Sequence, residues 1–287
     1  MNPLDLIGNL FGFVAKPIAA VCKLISPTFF AHMGNDFASW LLILSVSTGV
    51  LYALDRFRFE PRRKLAAGGG TPAKPNWALD FGRQFFPVII AVFMLRAFVV
   101  EPFRIPSGSM IPTLRIGDFI LVNRFAYGLR CPVGNCVIFG EAAPKRGDVV
   151  VFRYPVDPRQ DFIKRVIGLP GDSLRYVNKQ LTINGEPIAQ EIIGRFGDRL
   201  DTELTESLGS VRHSILTNAD GRVQDFEFSV PEGQYFMMGD NRDGSSDSRF
   251  WGTVPAAYLK GRAFFVWMSW DSNAFRPAWS RIGHSIQ

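Results

Sequence analysis

The chain has 287 residues, of which 47% are apolar and 20% charged, and it carries a net charge of +6 at pH 7. This length gives room for one large or two modest domains besides any membrane segments. The basic residues are scattered except for one run, between Arg56 and Lys64, that flanks an apolar segment. A basic run in that position favours membrane topology over nucleic-acid binding, so no nucleic-acid partner is expected.

The chain has three cysteines, Cys22, Cys131 and Cys136. Paired C-x-x-C units and a His-x-x-x-His spacing are both missing from the sequence, so we expect no metal site and no cofactor. Cys131 and Cys136 enclose the turn-like sequence Pro-Val-Gly-Asn. They form either a small disulfide loop in an oxidising compartment, worth about 2 kcal/mol, or a loop with two free thiols.

Residues 1–35 are an N-terminal extension with apolar side chains at a helical period, interrupted by Pro17. They lack the small-residue cleavage site of a removed signal peptide. The extension is either an interfacial helix or a stretch that precedes the true start of translation at Met33.

Residues 36–55 are predicted to form a first transmembrane helix. Their core, Phe37 to Leu54, has 18 residues without a charge. As a helix it reaches about 27 Å, which is enough for the hydrocarbon core of a bilayer. The charged residues Asp55 and Arg56 are predicted to end this helix.

Residues 56–80 are predicted to be a basic, flexible linker in the cytoplasm. They carry six Lys and Arg residues against two in the first 36 residues, and positive charge concentrates in cytoplasmic loops. Three consecutive glycines and two prolines indicate flexibility. Residues 81–100 form a second segment, either spanning or interfacial, because its uninterrupted apolar part is 11 residues, about 16 Å of helix. If both segments span, the chain from Glu101 onward lies outside the cytoplasm.

Residues 101–287 are predicted to form a mostly antiparallel β domain. Short apolar runs alternate with turn signals, and no convincing helix of ten or more residues interrupts them. The sequence Asn184-Gly185 predicts a tight hairpin turn. A more polar stretch, about 186–222, is predicted to be an inserted and partly mobile subregion. The main predicted strands are Phe119–Asn123, Asp148–Phe152, Phe162–Ile167, Gln180–Ile183, Val223–Val230, Tyr235–Met238 and Phe264–Met268.

Ser109 and Lys164 are the candidates for nucleophilic catalysis. Ser109 follows the second apolar segment, and a serine nucleophile needs a base. None of the three histidines lies near a suitable motif, which leaves a lysine kept neutral by burial. Lowering a lysine pKa from about 10.4 to near 8 disfavours the charged form by roughly 3 kcal/mol, and the apolar neighbours of Lys164 could supply the burial. Taken singly, these residues also fit a turn serine and an exposed strand lysine.

Four motifs in order resemble the bacterial type I signal peptidases, or leader peptidases. They are PSGSMIPTL at 106–114, RGDVVVF at 146–152, FIKRVIGLPGD at 162–172 and GDNRDGSSDSR at 239–249. With the two apolar segments, the resemblance extends from residue 35 to about 284. It implies a serine endopeptidase with a fold similar to signal peptidases and repressor proteases, anchored by two N-terminal transmembrane helices, that removes signal peptides from exported preproteins.

The resemblance also implies roles for individual residues. Ser109 matches the nucleophile and Lys164 the general base, while the Ser109 N–H and the Ser107 hydroxyl match the oxyanion hole. Two shallow pockets would accept the small side chains of an Ala-X-Ala-like cleavage site. The residues that match the walls of these pockets are Phe103, Ile105, Pro106, Met110, Leu114, Ile120, Val151, Phe162 and Ile163.

The last motif supplies supporting residues. By resemblance, Ser245 orients the lysine amine, and Asp247 and Arg249 form an ion pair. Gly244 departs from the pattern, since many relatives have Asn at that position. The turn before Ser245 is therefore expected to differ from theirs.

The implied location is the bacterial inner membrane, with multi-pass anchoring and the catalytic domain on the periplasmic side. The implied partners are preprotein signal peptides and the lipid bilayer, and a monomer is expected. Two alternatives stay open. One is a self-cleaving Ser–Lys repressor-type protease, which should be cytosolic and carry a DNA-binding segment. The other is a catalytically inactive, membrane-anchored β scaffold.

Overall fold

The computed structural model describes residues 37–131, 137–140, 142–197, 201–219, 221, 225–272 and 274–287. The N-terminal extension and its predicted helix lie outside the described residues. Cys131 is disulfide-bonded, but its predicted partner Cys136 also lies outside them, so this pairing stays a prediction. The chain divides into two compact units, one helical and one formed by Phe98–Arg130 and Val137–Gln287.

The first helix of the helical unit is longer than predicted. Helix α1 (Phe37–Leu54) continues through a π-helical turn (Asp55–Phe59) into α2 (Glu60–Ala66). The prediction that Asp55 and Arg56 end the helix is wrong, because the charges there pair along the helix instead of stopping it. The Arg63 Nη2 lies 2.6 Å from the Asp55 Oδ1. Glu60 pairs with Arg56, four residues before it, and with Lys64, four residues after it. The two Glu60 pairs, each four residues apart, have the spacing that stabilises an exposed helix.

The second helix begins earlier than predicted. Helix α3 (Trp77–Met94) starts at Trp77, where the Asn76 side chain accepts a hydrogen bond from the Ala78 N–H, and a π-helical turn (Leu95–Val99) follows it. The helical stretches Ser39–Ala66 and Trp77–Val99, of 28 and 23 residues, are both long and apolar enough to cross a membrane. The predicted linker is therefore helical at both ends.

The two helices pack closely because of a glycine. A Cβ atom placed on Gly82 would lie 2.5 Å from the Leu51 Cβ, so any larger residue would push the helices apart. The Tyr52 and Phe86 rings also meet, with centroids 5.3 Å apart. Small residues at such crossings allow close packing inside a membrane, where no hydrophobic effect drives helices together.

The second unit is mostly antiparallel β structure, as predicted. The strands are β1 (Val100–Arg104), β2 (Asp118–Asn123), β3 (Leu129–Arg130), β4 (Val137–Phe139), β5 (Val149–Arg153), β6 (Asp161–Gly168), β7 (Ser173–Val177), β8 (Gln180–Ile183), β9 (Glu186–Pro187), β10 (Gln190–Arg195), β11 (Asp201–Leu208), β12 (Val211–Asn218), β13 (Phe226–Ser229), β14 (Gln234–Met238), β15 (Val254–Pro255), β16 (Leu259–Asp271) and β17 (Arg276–Pro277).

The strands of this unit form one large and three small sheets among the described residues. The main sheet has eight strands, seven of them in the order β1-β2-β16-β5-β6-β14-β15, with β17 paired to β16. Smaller sheets are β13-β7-β8-β9, β10-β11-β12 and β3-β4. The described helices in this unit are single turns, including α4 (Ser248–Trp251).

The Asn184-Gly185 turn joins β8 to β9 as predicted. Both residues have positive φ, 53° and 83°, which the favoured two-residue hairpin turn requires and which Asn and Gly tolerate best. Ile183 therefore pairs directly with Glu186.

The polar stretch 186–222 is more regular than predicted. Most of its described residues form the sheet β10-β11-β12, while β9 at its start pairs with β8. Strand β11 pairs with β12 over eight consecutive residues, from Asp201 opposite Asn218 to Leu208 opposite Val211. These strands were not predicted from the sequence, because polar residues such as Glu206 interrupt the alternation of apolar residues that indicates a half-buried strand.

Candidate active site

The candidate nucleophile lies in the loop between β1 and β2. Met110 and Leu114, which follow it, are fully buried, and the Leu114 N–H donates to the Met110 carbonyl at 2.8 Å. This turn anchors the loop in the core and holds Ser109 at its edge, where only 7% of its surface is exposed. The Ser107 hydroxyl is exposed, and its oxygen lies 3.5 Å from the Ser109 Oγ.

Lys164 reaches the same point from β6. Its Nζ donates a 2.6 Å hydrogen bond to the Ser109 Oγ and a 3.0 Å bond to the Ile163 carbonyl. Phe162, two positions earlier on the strand, places its ring centroid 5.5 Å from the amine. Lys164 is 4% exposed. The structure thus brings the two predicted residues into hydrogen-bonding contact in a buried position.

Burial sets the charge state of this lysine. It lowers the pKa of Lys164 to about 8, against the opposing effect of the Asp247 and Asp240 carboxylates, which favour the charged amine. Taking an ammonium out of water disfavours its charged form, because the interior solvates the charge poorly. The amine is therefore far easier to deprotonate than an exposed lysine, and a neutral amine can accept the proton of a serine hydroxyl.

The predicted supporting residues also lie together, around Gly239. Asp247 and Arg249 form a buried ion pair with contacts of 2.8 and 2.9 Å, and an Asp247 oxygen accepts the Gly239 N–H at 2.9 Å. Ser245 is buried, but its hydroxyl has no hydrogen-bond partner among the described residues. Its role in orienting the lysine therefore stays a prediction.

Gly239 is required by close packing. A Cβ atom at this position would lie 2.2 Å from the Ser245 Oγ and 2.4 Å from the Ser109 carbonyl oxygen. Main-chain carbonyls cannot move out of the way without shifting the turn that carries the nucleophile. The glycine thus lets the GDNRDGSSDSR segment approach Ser109.

The predicted pocket residues fall into two groups. One group is buried in a single core cluster, and its members are Ile105, Met110, Leu114, Ile120 and Val151. These side chains can influence a substrate pocket only by supporting the residues that line it. In the other group, Phe103 and Ile163 pack on this cluster while partly exposed, Phe162 stacks on Tyr154 with centroids 4.2 Å apart, and Pro106 is exposed. Only this second group offers side-chain surface for contact with a substrate.

Sequence reasoning missed a buried ion pair beside the nucleophile loop. Arg165, next to the lysine, binds both oxygens of Asp240 at 2.8 and 2.7 Å, and the Thr113 hydroxyl donates to the same carboxylate at 2.5 Å. The Arg165 and Asp240 side chains are almost completely buried. Arg165 lies within the FIKRVIGLPGD motif and Asp240 within the GDNRDGSSDSR motif, and these motifs were the signals that could have pointed to the pair.

The chain is similar in sequence to known proteins over most of its length. The family model described as signal peptidase, peptidase S26, matches residues 78–270. The signal peptidase I of Pseudomonas fluorescens is 44% identical over 281 residues, which cover 88% of this chain and 99% of the relative. The signal peptidase I of Pseudomonas aeruginosa is 43% identical, with 85% and 96% covered, and that of Haemophilus influenzae is 34% identical, with 93% and 95% covered.

The matched range 78–270 spans all four motifs and therefore includes Ser109 and Lys164. The chain therefore belongs to the signal peptidase family, peptidase S26.

Proposed function

We propose that this protein is a membrane-bound serine endopeptidase that removes N-terminal signal peptides from exported preproteins, with Ser109 as nucleophile and neutral Lys164 as general base. The observation that carries the proposal is the 2.6 Å contact between the Lys164 Nζ and the Ser109 Oγ in a buried position. The relatives named signal peptidase I support the substrate class.

The chemistry follows from this contact. The Lys164 amine takes the Ser109 hydroxyl proton as the Oγ attacks the scissile carbonyl carbon. The oxyanion that forms accepts hydrogen bonds from the Ser109 N–H and the Ser107 hydroxyl. As the C–N bond breaks, Lys164 gives the proton to the leaving amine, which is the new N-terminus of the mature protein. A water molecule, deprotonated by the same amine, then attacks the acyl carbon. The ester bond to the Ser109 Oγ breaks, the signal peptide leaves with a new C-terminal carboxylate, and Lys164 returns the proton to the Oγ.

Specificity for small residues would come from the shape of the site. We assign the exposed parts of Phe103, Phe162 and Ile163 to the walls of shallow pockets that exclude large side chains by steric clash. Ser245 would orient the amine, and Asp247 with Arg249 would hold the surrounding loop. Cleavage is then expected after Ala-X-Ala-like sequences.

Membrane attachment completes the proposal. Helices α1 and α3 would span the bacterial inner membrane, with the basic residues between them in the cytoplasm and the β unit on the periplasmic side. Exposed Trp270 and Trp279 on the β unit suit contact with the bilayer surface, since Trp favours that interface. The protein would act as a monomer.

The test uses the purified full-length protein in detergent micelles. It is incubated with a preprotein, and the new N-terminus of the product is sequenced. A single cut directly after an Ala-X-Ala-like sequence is expected, and the Ser109→Ala protein should give none. Equal cleavage by Ser109→Ala, or cuts scattered after large residues, would contradict the proposal.

The pH dependence gives a further prediction. Because only neutral Lys164 accepts a proton and its pKa is about 8, kcat/KM should rise tenfold per pH unit up to about pH 8 and then level off. At pH 7 about a tenth of the enzyme would carry the neutral amine. Rates for one preprotein measured from pH 6 to 10 check this. A rise centred near pH 6.5 would indicate a histidine base instead.

A further inference from the structure

We propose that Asn241 is a positioning residue that aims the Ser109 N–H at the oxyanion. Asn241 contacts the nucleophile segment twice. Its side-chain Nδ2 donates to the Gly108 carbonyl oxygen at 3.1 Å, and its main-chain N–H donates to the Ser109 carbonyl oxygen at 3.1 Å. The inference deepens the proposed function, because it concerns the oxyanion hole of the same reaction.

The planarity of the peptide bond turns this contact into an orientation. In a trans peptide, the carbonyl of Gly108 and the N–H of Ser109 lie in one plane and point in opposite directions. Holding the carbonyl therefore fixes the direction of the N–H. No acceptor for the Ser109 N–H is found in the described part of the chain, so this donor is available to a substrate oxygen.

The Gly108 carbonyl has a second anchor. The Ile111 N–H, from the turn that follows, donates to it at 3.2 Å. A carbonyl oxygen has two lone pairs and accepts both bonds. Ile111 ties the carbonyl to its own loop, whereas Asn241 ties it to the segment after β14, whose Asp240 and Asp247 carboxylates act electrostatically on Lys164. Asn241 thus aligns the oxyanion donor with the general base.

The orientation of the Asn241 amide is fixed by its other contact. Its Oδ1 accepts the Gly244 N–H at 3.1 Å, and the same N–H also donates to the Asn241 main-chain carbonyl at 3.1 Å. A main-chain N–H can face only the oxygen of the amide, so the NH₂ group must face Gly108. The Asn241 side chain therefore links Gly108 to Gly244, with its NH₂ group facing Gly108 and its oxygen facing Gly244.

Gly244 provides the space for this bridge. A Cβ atom on Gly244 would lie 2.6 Å from the Asn241 Nδ2 and 2.8 Å from its Oδ1. A larger residue at 244 would displace the amide, so Gly at this position permits the arrangement. Substitution at 244 should disturb the same contact as substitution of Asn241 itself.

The test compares Asn241→Asp with the parent enzyme, both full length in detergent. The carboxylate keeps the acceptor for the Gly244 N–H but loses the donor to Gly108. We expect kcat for a preprotein to fall about tenfold with KM unchanged, a part of the 10²- to 10³-fold cost of losing one oxyanion donor. A peptide aldehyde, which forms a tetrahedral adduct with Ser109, should lose affinity by a similar factor. A non-cleavable substrate peptide should bind as before.

Two variants complete the design. Gly244→Ala should give the same pattern, since it displaces the amide without removing it, and it serves if Asn241→Asp does not fold. Asn123→Asp is the matched control, because the Asn123 Oδ1 also accepts a main-chain N–H at the start of a 3₁₀ turn, that of Phe125 at 2.9 Å. It should leave all these constants unchanged.

Three outcomes would overturn the inference. These are unchanged kcat and aldehyde affinity in both Asn241→Asp and Gly244→Ala, an equal loss for the aldehyde and the substrate peptide, or the same loss in Asn123→Asp. The proposed function would fail by a different result, namely preprotein cleavage by Ser109→Ala.

Discussion

Replacing Lys164 with Met should give an enzyme that is inactive and yet more stable than the parent at pH 7. Without the amine, the Ser109 hydroxyl has no group to accept its proton, and the cleavage rate should fall on the order of 10⁴-fold. Stability should increase because the buried charge is removed. Met has a length similar to the lysine stem and no charge to desolvate.

The sign of the stability effect follows from the pKa. The folded value is about 8 against a model value of 10.5, so between these limits the unfolded chain binds more protons than the folded one. Stability of the parent therefore rises with pH from about 8 to 10.5. Below pH 8 the full penalty applies, up to about 3 kcal/mol for a shift of this size. The advantage of Lys164→Met should thus be largest at pH 7 and shrink towards pH 10.5.

Thermal unfolding of the two proteins from pH 7 to 10.5, with the preprotein assay alongside, checks this prediction. Lys145→Met is the matched control, because Lys145 is exposed. It should leave activity intact and follow the unfolding temperature of the parent at every pH. If the Lys164→Met protein is less stable than the parent at pH 7, the inference that burial penalises the charged Lys164 amine is contradicted.

The sequence predicted the β unit well where local patterns are strong. Strand β8 begins and ends at the predicted residues, because a clean alternation ends in the Asn184-Gly185 turn. The prediction from sequence was wrong where pairing between charged side chains determines whether a helix continues. Asp55 looked like a helix stop, but its partner Arg63 lies eight residues on, and nothing in a hydropathy pattern indicates such a pair.

The site could be predicted only in part, for a similar reason. Ser109 and Lys164 were ambiguous as single residues, and the order of four motifs identified them. Asn241 and Arg165 contact partners 133 and 75 residues away in sequence. Contacts of that separation depend on how β6 and β14 pair, which no local period encodes. Ile120 was predicted as a pocket wall and is fully buried, which a motif match does not report; its part in the pocket stays a prediction.

Glu206→Ala should be the most destabilising substitution in the sheet β10-β11-β12. Glu206 on β11 binds Arg242 through both oxygens, one contact being 2.8 Å, and both side chains are fully buried. Burial opposes the charged carboxylate, but the Arg242 charge keeps the pKa of Glu206 below its usual value. Removing the carboxylate leaves a guanidinium buried without its partner, which costs about 3–5 kcal/mol.

The same change should reach the active site. Arg242 follows Asn241, and β12 joins this segment through a 2.8 Å bond from the Leu216 N–H to the Asp240 carbonyl. The small sheet therefore supports the segment that contacts Ser109. We expect Glu206→Ala to lower the unfolding temperature by roughly 10 °C, since about 1 kcal/mol shifts it by 2–4 °C in a unit of this size. Preprotein cleavage should decline at temperatures well below the unfolding midpoint.

The chain offers a matched control in the same sheet. Glu191 on β10 pairs with Arg212 on β12 at 3.1 Å, but both side chains are mostly exposed, so Glu191→Ala should cost less than about 1 kcal/mol. The double variant Glu206→Ala/Arg242→Met should recover much of the lost stability, because no charge is then left buried alone. Equal unfolding temperatures for Glu206→Ala and Glu191→Ala would show that the buried pair does not hold the small sheet to the catalytic segment.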